Sequence, residues 1–276
     1  MKESEIKKKV REGYAQIAKK ESSCCASVSS CCGSVDLAQT TSKNIGYTDE
    51  ELGSIPEGAN LGLGCGNPVP LASLAEGETV LDLGPGAGFD CFLAANRVGK
   101  EGRVIGVDMT PEMIEKAREN AQRGTYQNVE FRLGEIENIP AADNSVNVVI
   151  SNCVINLSPD KSRVFQEAFR VLKLGGRLMV SDIALLKELP EFIRDSIAAY
   201  VGCISGAMMK DDYIGAIKKS GFREVEIVDE TFFPIECITN DPTAEAIINK
   251  MEIPSEEIKD LANSVLSIKV QGIKPK

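Results

Sequence analysis

The chain has 276 residues, of which 31 are basic and 41 acidic, giving a net charge of −10 at pH 7. This length suits one α/β domain with additions, and the acidic balance argues against a nucleic acid substrate. Histidine is absent, which excludes histidine acid–base catalysis, Ser-His-Asp triads and histidine-ligated zinc. No apolar run approaches the roughly 18 residues of a membrane span, and the N-terminus lacks the apolar core of a signal peptide. We therefore expect a soluble, cytoplasmic protein.

The nine cysteines are many for such a chain, and their number is odd. A structural disulfide framework is not expected in a reducing compartment. Cysteine is also among the most frequently buried residue types, so some of the nine are expected to be inert core.

The N-terminal segment, residues 1–44, predicts a helix followed by a flexible arm. Apolar residues at helical spacing predict an amphipathic helix over 4–20 that packs on the protein body rather than on a membrane. Residues 21–43 are rich in Ser, Thr and Cys without periodicity, which favours a flexible arm. Five residues lie between its two cysteine pairs, which does not match zinc-ligand spacing. These cysteines are Cys24, Cys25, Cys31 and Cys32.

The middle of the chain, residues 45–233, predicts an α/β core. The alternating pattern indicates a parallel sheet with right-handed crossovers. Strands are predicted near 79–83, 103–107, 129–133, 146–151 and 177–182, and helices near 89–98, 111–123 and 159–172. Helical sequence near 190–220 precedes two last strands at 224–233 and 265–273. The C-terminal part, 234–276, contains the last strand and an insertion or lid at 234–262.

A glycine turn lies at the centre of this core. Asp82, Gly84, Gly86 and Gly88 form the pattern D-x-G-x-G-x-G between an apolar strand and a helix. Glycine tolerates positive φ, so backbone N–H groups can lie directly beneath a ligand. The dinucleotide fingerprint needs a small residue at position 89, which is Phe. The alternative is a tight turn without a ligand.

Further signals favour a nucleoside ligand. Asp108 ends the second strand, where a carboxylate accepts hydrogen bonds from ribose hydroxyls. The glycine turn resembles motif I of the class I S-adenosylmethionine-dependent methyltransferases, and residues 172–178 match their L-K-x-G-G-x-L loop. The resemblance implies a Rossmann-like, seven-stranded, mostly parallel sheet with helices on both faces, extended here by the cysteine-rich arm and the C-terminal lid. Its donor-binding residues would be Asp82, Gly84, Gly86, Gly88, Asp108, Met109, Glu135, Ile136 and Asn152.

Three cysteines lie on segments that such a fold brings together. Cys65 is in a glycine-rich loop before the first strand, Cys153 follows the fourth strand, and Cys203 lies beyond the fifth. Each alone suits a core residue, but together they predict a cluster above the donor pocket. Cys91 and Cys237 provide a contrast, since Cys91 lies within a helix that packs on the sheet.

The sequences around these cysteines resemble the three cysteine motifs of the arsenite S-adenosylmethionine methyltransferases. The motifs are L-G-C-G-N-P at 63–68, S-N-C-V-I-N-L at 151–157 and G-C-I-S-G-A at 202–207. Asn147 departs from the usual Asp before the fourth strand. The resemblance implies methylation of arsenite or methylated trivalent arsenicals, supplied as thiol conjugates, in arsenic detoxification. It implies Cys65, Cys153 and Cys203 as arsenic ligands.

The cysteine pairs of the arm also resemble the cysteine-bearing N-terminal arm of that family. One hypothesis is that Cys32 meets Cys65 and acts with it as a redox pair, which glutathione or thioredoxin would reduce again. The alternative is that the arm cysteines are surface thiols without a role, or an adventitious metal site. Trivalent arsenic is thiophilic, and its lone pair can displace a sulfonium methyl group without a catalytic base. Two alternatives remain open. One is methylation of a small organic substrate, and the other is a thiol-based metalloid-binding protein.

Overall fold

A computed structural model describes residues 3–20, 32–69, 72–194, 197–232 and 263–276. Five helices and four strands cover the first half: α1 Glu3–Lys20, α2 Cys32–Asn44, α3 Asp49–Gly53, β1 Thr79–Leu83, α4 Phe89–Val98, β2 Arg103–Asp108, α5 Pro111–Arg123, β3 Val129–Leu133 and β4 Val146–Asn152. The second half contains α6 Lys161–Val171, β5 Leu172–Leu185, α7 Glu191–Arg194, α8 Ile197–Val201, β6 Met208–Met209, α9 Lys210–Lys219, β7 Arg223–Phe232 and β8 Val265–Ile273. None of the described helices is both long and apolar enough to cross a membrane.

The strands form one sheet in the order β3-β2-β1-β4-β5-β8-β7. Strands β1 to β5 are parallel, and β8 lies antiparallel between β5 and β7. The predicted mostly parallel sheet is therefore confirmed. An eighth strand that the sequence did not predict, the two-residue β6, pairs with the end of β5. Strand β5 is also longer than the predicted 177–182, because it begins at Leu172 and pairs with β4 across a register shift.

The side chains of the central strands point alternately into two buried apolar layers, one on each face of the sheet. Val80 and Val104 face one layer with helices α4 and α5. Leu81 and Ile105 face the opposite layer with α6 and α9. This period of two arises because successive strand side chains point to opposite faces of a sheet. The predicted helices on both faces are therefore confirmed.

A third apolar cluster lies at the carboxyl ends of the strands, beneath helix α1. Val10 of α1 is buried there with Leu157 and with two cysteines, Cys65 and Cys203. The predicted N-terminal amphipathic helix is thus confirmed, and it packs on the body of the protein.

The prediction of a flexible arm over 21–43 is wrong for its second half. Helix α2 occupies Cys32–Asn44, and residues 21–31 lie outside the described residues. Tertiary contacts supply the stability that this weakly periodic segment lacks on its own. The Ser42 hydroxyl donates to the amide oxygen of Asn60 at 2.9 Å. A Cβ built on Gly62 would lie 3.0 Å from the Cα of Ala38, so only a glycine lets α2 pack this closely.

Candidate active site

The glycine turn has the geometry of a backbone-lined cradle. Gly84, Gly86 and Gly88 all have positive φ, at 71°, 54° and 99°. A Cβ on Gly84 would lie 2.4 Å from Cγ2 of Val154, so the turn presses against the residue that follows Cys153. A Cβ on Gly86 would meet nothing within 4 Å, so that glycine borders open space. The turn therefore joins the thiol region on one side and has room for a ligand on the other.

Asp108 completes the cradle at the end of β2. Its carboxylate accepts hydrogen bonds from the backbone N–H groups of Gly86 at 3.2 Å and Thr110 at 2.8 Å. Burial raises the pKa of this carboxyl, and the N–H groups oppose that rise. The carboxylate is thus fixed beside the turn by local backbone.

Other predicted donor-binding residues make contacts within the protein. Met109 packs against the third apolar cluster, and Ile136 is buried in the layer beneath α6 and α9. Glu135 pairs with Lys7 of helix α1 at 2.7 Å. The carboxyl of Asp82 is buried and accepts from the thiol of Cys91 at 3.3 Å.

The structure brings together the three cysteines that the sequence predicts to cluster. The thiols of Cys65 and Cys153 and a carboxylate oxygen of Asp182 all lie within 4.8 Å of one another. The Cys203 thiol donates to the carbonyl oxygen of Cys153 at 2.9 Å. The side chain of Cys91 instead packs on the α4 side of the sheet. Cys32 begins α2, but its side chain lies outside the described residues, as do Cys24, Cys25, Cys31 and Cys237.

Two of these cysteines have a backbone conformation that is unfavourable for a side chain. Cys153 has φ 58° and Cys203 has φ 65°. The left-handed region costs a non-glycine residue about 1–2 kcal/mol, so glycine would ordinarily occupy such positions. Cysteine therefore carries a conformational cost at both positions, as Ser73, Thr125, Asn144 and Glu224 do elsewhere in the described chain.

Glycines on either side hold the Cys65 loop against two strand ends. A Cβ on Gly64 would lie 2.9 Å from the amide nitrogen of Asn152, and one on Gly66 would lie 2.1 Å from the hydroxyl of Ser181. The G-C-G sequence is therefore required by close packing. The Cys65 carbonyl oxygen also accepts a hydrogen bond from Ser267 of β8.

Asn152 anchors the same loop. Its amide oxygen accepts from the Cys65 N–H at 3.1 Å, and its amide nitrogen donates to the Gly66 carbonyl oxygen at 2.7 Å. The amide nitrogen also contacts Tyr47 at 2.9 Å and Asp90 at 3.1 Å, and Tyr47 donates to Asp90 at 2.7 Å. Sequence reasoning missed Tyr47 and Asp90, because their roles arise only from contacts across the fold.

Asp182 is a buried carboxylate beside the thiols. It accepts hydrogen bonds from the Asn156 amide at 2.8 Å, the Ile183 N–H at 2.9 Å and the Tyr213 hydroxyl at 3.1 Å. Burial raises its pKa to about 7. These three hydrogen bonds fix the Asp182 carboxyl beside the Cys65 and Cys153 thiols.

Two of the thiols, those of Cys65 and Cys153, have raised pKa values and are protonated near neutral pH. Burial raises the pKa of Cys65. The pKa of Cys153 is raised well above its usual value, mainly by hydrogen bonds with the Cys203 and Cys65 thiols and to a smaller extent by burial. Both side chains therefore enter any ligand exchange as neutral thiols.

Helix α1 covers the thiol cluster from above. The hydroxyl of Tyr14 lies 3.4 Å from the carbonyl oxygen of Val201 and 4.0 Å from the sulfur of Cys203. Burial raises the pKa of Tyr14 well above its usual value, and the neighbouring side chains of Cys203 and Cys153 raise it further. Lys7 holds the N-terminal end of the same helix to Glu137 at 3.1 Å.

Comparison with known proteins identifies the family. A family model described as "Methyltransferase domain" matches residues 74–224. The solved structure of an arsenic(III) S-adenosylmethionine methyltransferase from Chlamydomonas reinhardtii matches this fold with a TM-score of 0.62 and 32% sequence identity, over 87% of this chain and 73% of that chain. This chain belongs to the arsenic(III) methyltransferase family. The resemblance found in its cysteine motifs is therefore confirmed.

Curated members of the arsenic(III) methyltransferase family support the same assignment. An arsenite methyltransferase from Halobacterium salinarum is 50% identical over 81% of this chain, and one from Homo sapiens is 35% identical over 86%. This chain spans 59% and 63% of the lengths of those two relatives.

The site fits the methyl donor of this family, S-adenosylmethionine. The open space beside Gly86 would accommodate a ligand against bare backbone, and a Cβ would fill part of it. The Asp108 carboxylate beside it is an acceptor suited to sugar hydroxyls.

Proposed function

We propose that this chain transfers a methyl group from S-adenosylmethionine to trivalent arsenic held by the sulfur atoms of Cys65, Cys153 and Cys203. The observation that carries this proposal is the convergence of the three cysteines beside the glycine turn, two of them in a left-handed conformation. Soft sulfur ligands select soft centres such as trivalent arsenic.

Arsenic would bind by exchange of hydroxyl for thiol ligands. For each ligand an As–O bond breaks and an As–S bond forms, and the thiol proton leaves with the hydroxyl as water. Neutral arsenous acid and protonated thiols make this exchange balanced without an added base. The raised pKa values of Cys65 and Cys153 therefore present no obstacle.

The chain's contribution to methyl transfer would be placement. When bound, S-adenosylmethionine supplies an electrophilic sulfonium methyl group, whose bonding electrons stay with the donor sulfur. The three sulfur atoms would fix the arsenic lone pair toward the donor, and Val10 and Leu157 would exclude water. Near-attack placement of this kind can supply about 7–11 kcal/mol of a barrier. No proton is removed from arsenic, which suits a chain without histidine.

We assign Asp108 to the ribose hydroxyls, and the turn at Gly84, Gly86 and Gly88 to the amino-acid end of the donor. The wall of the donor pocket would be formed by Asp82, Met109, Glu135 and Ile136. Asn152, first predicted to contact the donor, would instead act mainly by holding the Cys65 loop, because its amide is engaged with protein.

Cys32 would act with Cys65 in a redox step. Methyl transfer oxidises arsenic formally to the pentavalent state, and two electrons from two thiols return it to the trivalent state as those thiols become a disulfide. Glutathione or thioredoxin would reopen the disulfide by thiol exchange. The packing of α2 against Gly62, three residues before Cys65, supports this pairing. A reducing cytoplasm would suit this redox step, because it keeps thiols reduced. The four cysteines with described side chains are all free thiols.

The direct test incubates the protein with arsenite, glutathione and S-adenosylmethionine labelled in its methyl group. Label in methylated arsenic is the expected result. A protein that binds the donor but leaves arsenite unmethylated would contradict the proposal and favour an organic substrate. Cys32→Ser should slow methylation of arsenite but largely spare a substrate that already carries one methyl group.

A further inference from the structure

The geometry points to Tyr14 as a positioning residue of the arsenic site, whose hydroxyl holds the Cys203 sulfur once that sulfur has exchanged its proton for arsenic. This inference rests on the proposed function. It adds helix α1 to the thiol site, since α1 otherwise supplies only apolar packing there.

The first support is the placement of the hydroxyl. Tyr14 reaches across from α1 to the loop after α8, where its oxygen lies 3.4 Å from the Val201 carbonyl oxygen and 4.0 Å from the Cys203 sulfur. Gly13 makes this approach possible, because a Cβ there would lie 3.0 Å from Cγ1 of Val201. Glycine weakens a helix interior, so close contact with Val201 gives a physical reason for its presence in the middle of α1.

The second support is the hydrogen bond that arsenic binding removes. Without arsenic, the Cys203 thiol donates to the Cys153 carbonyl oxygen at 2.9 Å. When arsenous acid binds, an As–O bond breaks, an As–S bond forms, and the thiol proton leaves with the hydroxyl as water. The sulfur then faces that carbonyl oxygen with lone pairs on both atoms, which is unfavourable.

A hydroxyl on the opposite side of the sulfur can offset this loss. Tyr14 has one hydrogen and two acceptors within reach, the Val201 carbonyl oxygen and the Cys203 sulfur. Before arsenic binds, the carbonyl oxygen is the stronger acceptor. Afterwards the sulfur carries more negative charge, and the hydroxyl turns toward it. Tyr14 would thus hold Cys203 in place on arsenic.

The test compares Tyr14→Phe with the wild-type chain and with Tyr126→Phe. Tyr126 is a matched control, because its hydroxyl also donates to a carbonyl oxygen, that of Ser54 at 3.2 Å, but its ring packs on Phe92 in a different cluster. Each protein is loaded with arsenite, and transfer of arsenic to an excess of a small dithiol is followed by the near-ultraviolet absorption of the arsenic–sulfur bonds. Loss of one hydrogen bond should accelerate release about 3- to 10-fold in Tyr14→Phe and leave Tyr126→Phe unchanged.

A double-mutant cycle separates positioning of the sulfur from support of the helix. In a Cys203→Ala background the acceptor is gone, so Tyr14→Phe should no longer change arsenic release. An effect that persists in that background would overturn the inference, as would equal release from Tyr14→Phe and the wild-type chain. Failure of the wild-type chain to bind arsenite would overturn the proposed function as well. Donor affinity, measured by calorimetry, should be the same in all variants and confirms their folding.

Discussion

The two halves of the site are built in different ways. The donor half is local, with a glycine turn between β1 and α4 and a carboxylate, Asp108, that the neighbouring backbone holds. The thiol half is assembled from distant loops, and 50 residues separate Cys153 from the Cys203 thiol that donates to it. Both halves use positive φ. The donor half uses glycine there, whereas the thiol half uses cysteine at Cys153 and Cys203.

This difference shows what each half requires of its residues. In the donor half the backbone itself would face the proposed ligand, so a side chain would only obstruct it. In the thiol half the proposed chemistry would need a sulfur atom at a position where a side chain is costly. That cost is sustained because neighbouring elements fix the backbone, for example the hydrogen bond from the Cys153 N–H to the Ser181 carbonyl oxygen at 2.8 Å.

The largest effect should come from removing a sulfur atom in the thiol half. Cys153→Ser and Cys203→Ser should each abolish methylation of arsenite, because oxygen is a hard ligand of nearly the same size. Cys65→Ser should abolish methylation of arsenite but retain part of the activity on a monomethylated substrate, which needs two thiolates. Methylated products are measured by chromatography.

Cys91→Ser is the control for these variants. Cys91 is fully buried and donates to Asp82, a role that a serine hydroxyl can fill. This variant should keep its activity. Full activity of Cys153→Ser or Cys203→Ser would show that the thiol half is ordinary core.

The second-largest effect should come from a substitution that weakens only the binding of the donor. Asp108→Ala should weaken S-adenosylmethionine binding about 10- to 100-fold, since hydrogen bonds to a charged group are lost. Arsenite binding should not change, because the thiols are held by other elements. Calorimetry with each ligand measures both. Asp143→Ala, which removes an exposed carboxylate paired with Arg170, is the control. Equal losses for the two ligands would show that the halves are not independent.

The sequence predicted the helices and strands that carry the donor half. The bounds of β1, α4 and α5 agree with the structure, because apolar periodicity, glycine and the Thr-Pro helix start are local signals. The three converging cysteines were also predicted, since parallel strands place their carboxyl ends at one edge.

The residues and contacts that hold the thiol half in place could not be predicted from local patterns. Tyr14 contacts a residue 187 positions away, and Tyr47 contacts Asn152 at a separation of 105. Helix α2 lacks periodicity and forms through its contacts with Asn60 and Gly62. Such roles depend on which elements pack together, and no local pattern carries that information.

The buried carboxyl of Asp90 connects the halves, and it should make stability depend on pH. Burial raises the pKa of Asp90 from 3.8 to about 6, against the lowering effect of the Tyr47 and Asn152 hydrogen bonds. Between these two values the folded state binds more protons than the unfolded state, so the free energy of unfolding falls as pH rises. The pKa shift corresponds to a total of about 3 kcal/mol in the free energy of unfolding. This contribution is lost by the time the pH exceeds about 6.

Asp90→Asn tests this dependence, because an amide does not ionise. The variant loses one acceptor, which has the same cost at every pH. Relative to the wild-type chain, its free energy of unfolding should therefore rise by up to about 3 kcal/mol between pH 4 and pH 7. Denaturant titrations at several pH values measure the difference. A difference that stays constant with pH would mean that Asp90 ionises as readily in the folded state as in the unfolded chain.

The smallest effect should come from the ion pairs that join α1 to the donor half. Lys7 pairs with Glu135 at 2.7 Å and with Glu137 at 3.1 Å, and its side chain is 19% exposed. Ion pairs near the surface contribute about 0–1 kcal/mol, so Lys7→Ala should speed donor release at most about 5-fold. The effect should fade in high salt, which screens exposed charges. Lys8→Ala removes the same charge from a side chain that is 74% exposed and should leave release unchanged. Stopped-flow release of S-adenosylmethionine at low and high salt distinguishes the two variants, and equal rates for both would mean that α1 covers only the thiol half.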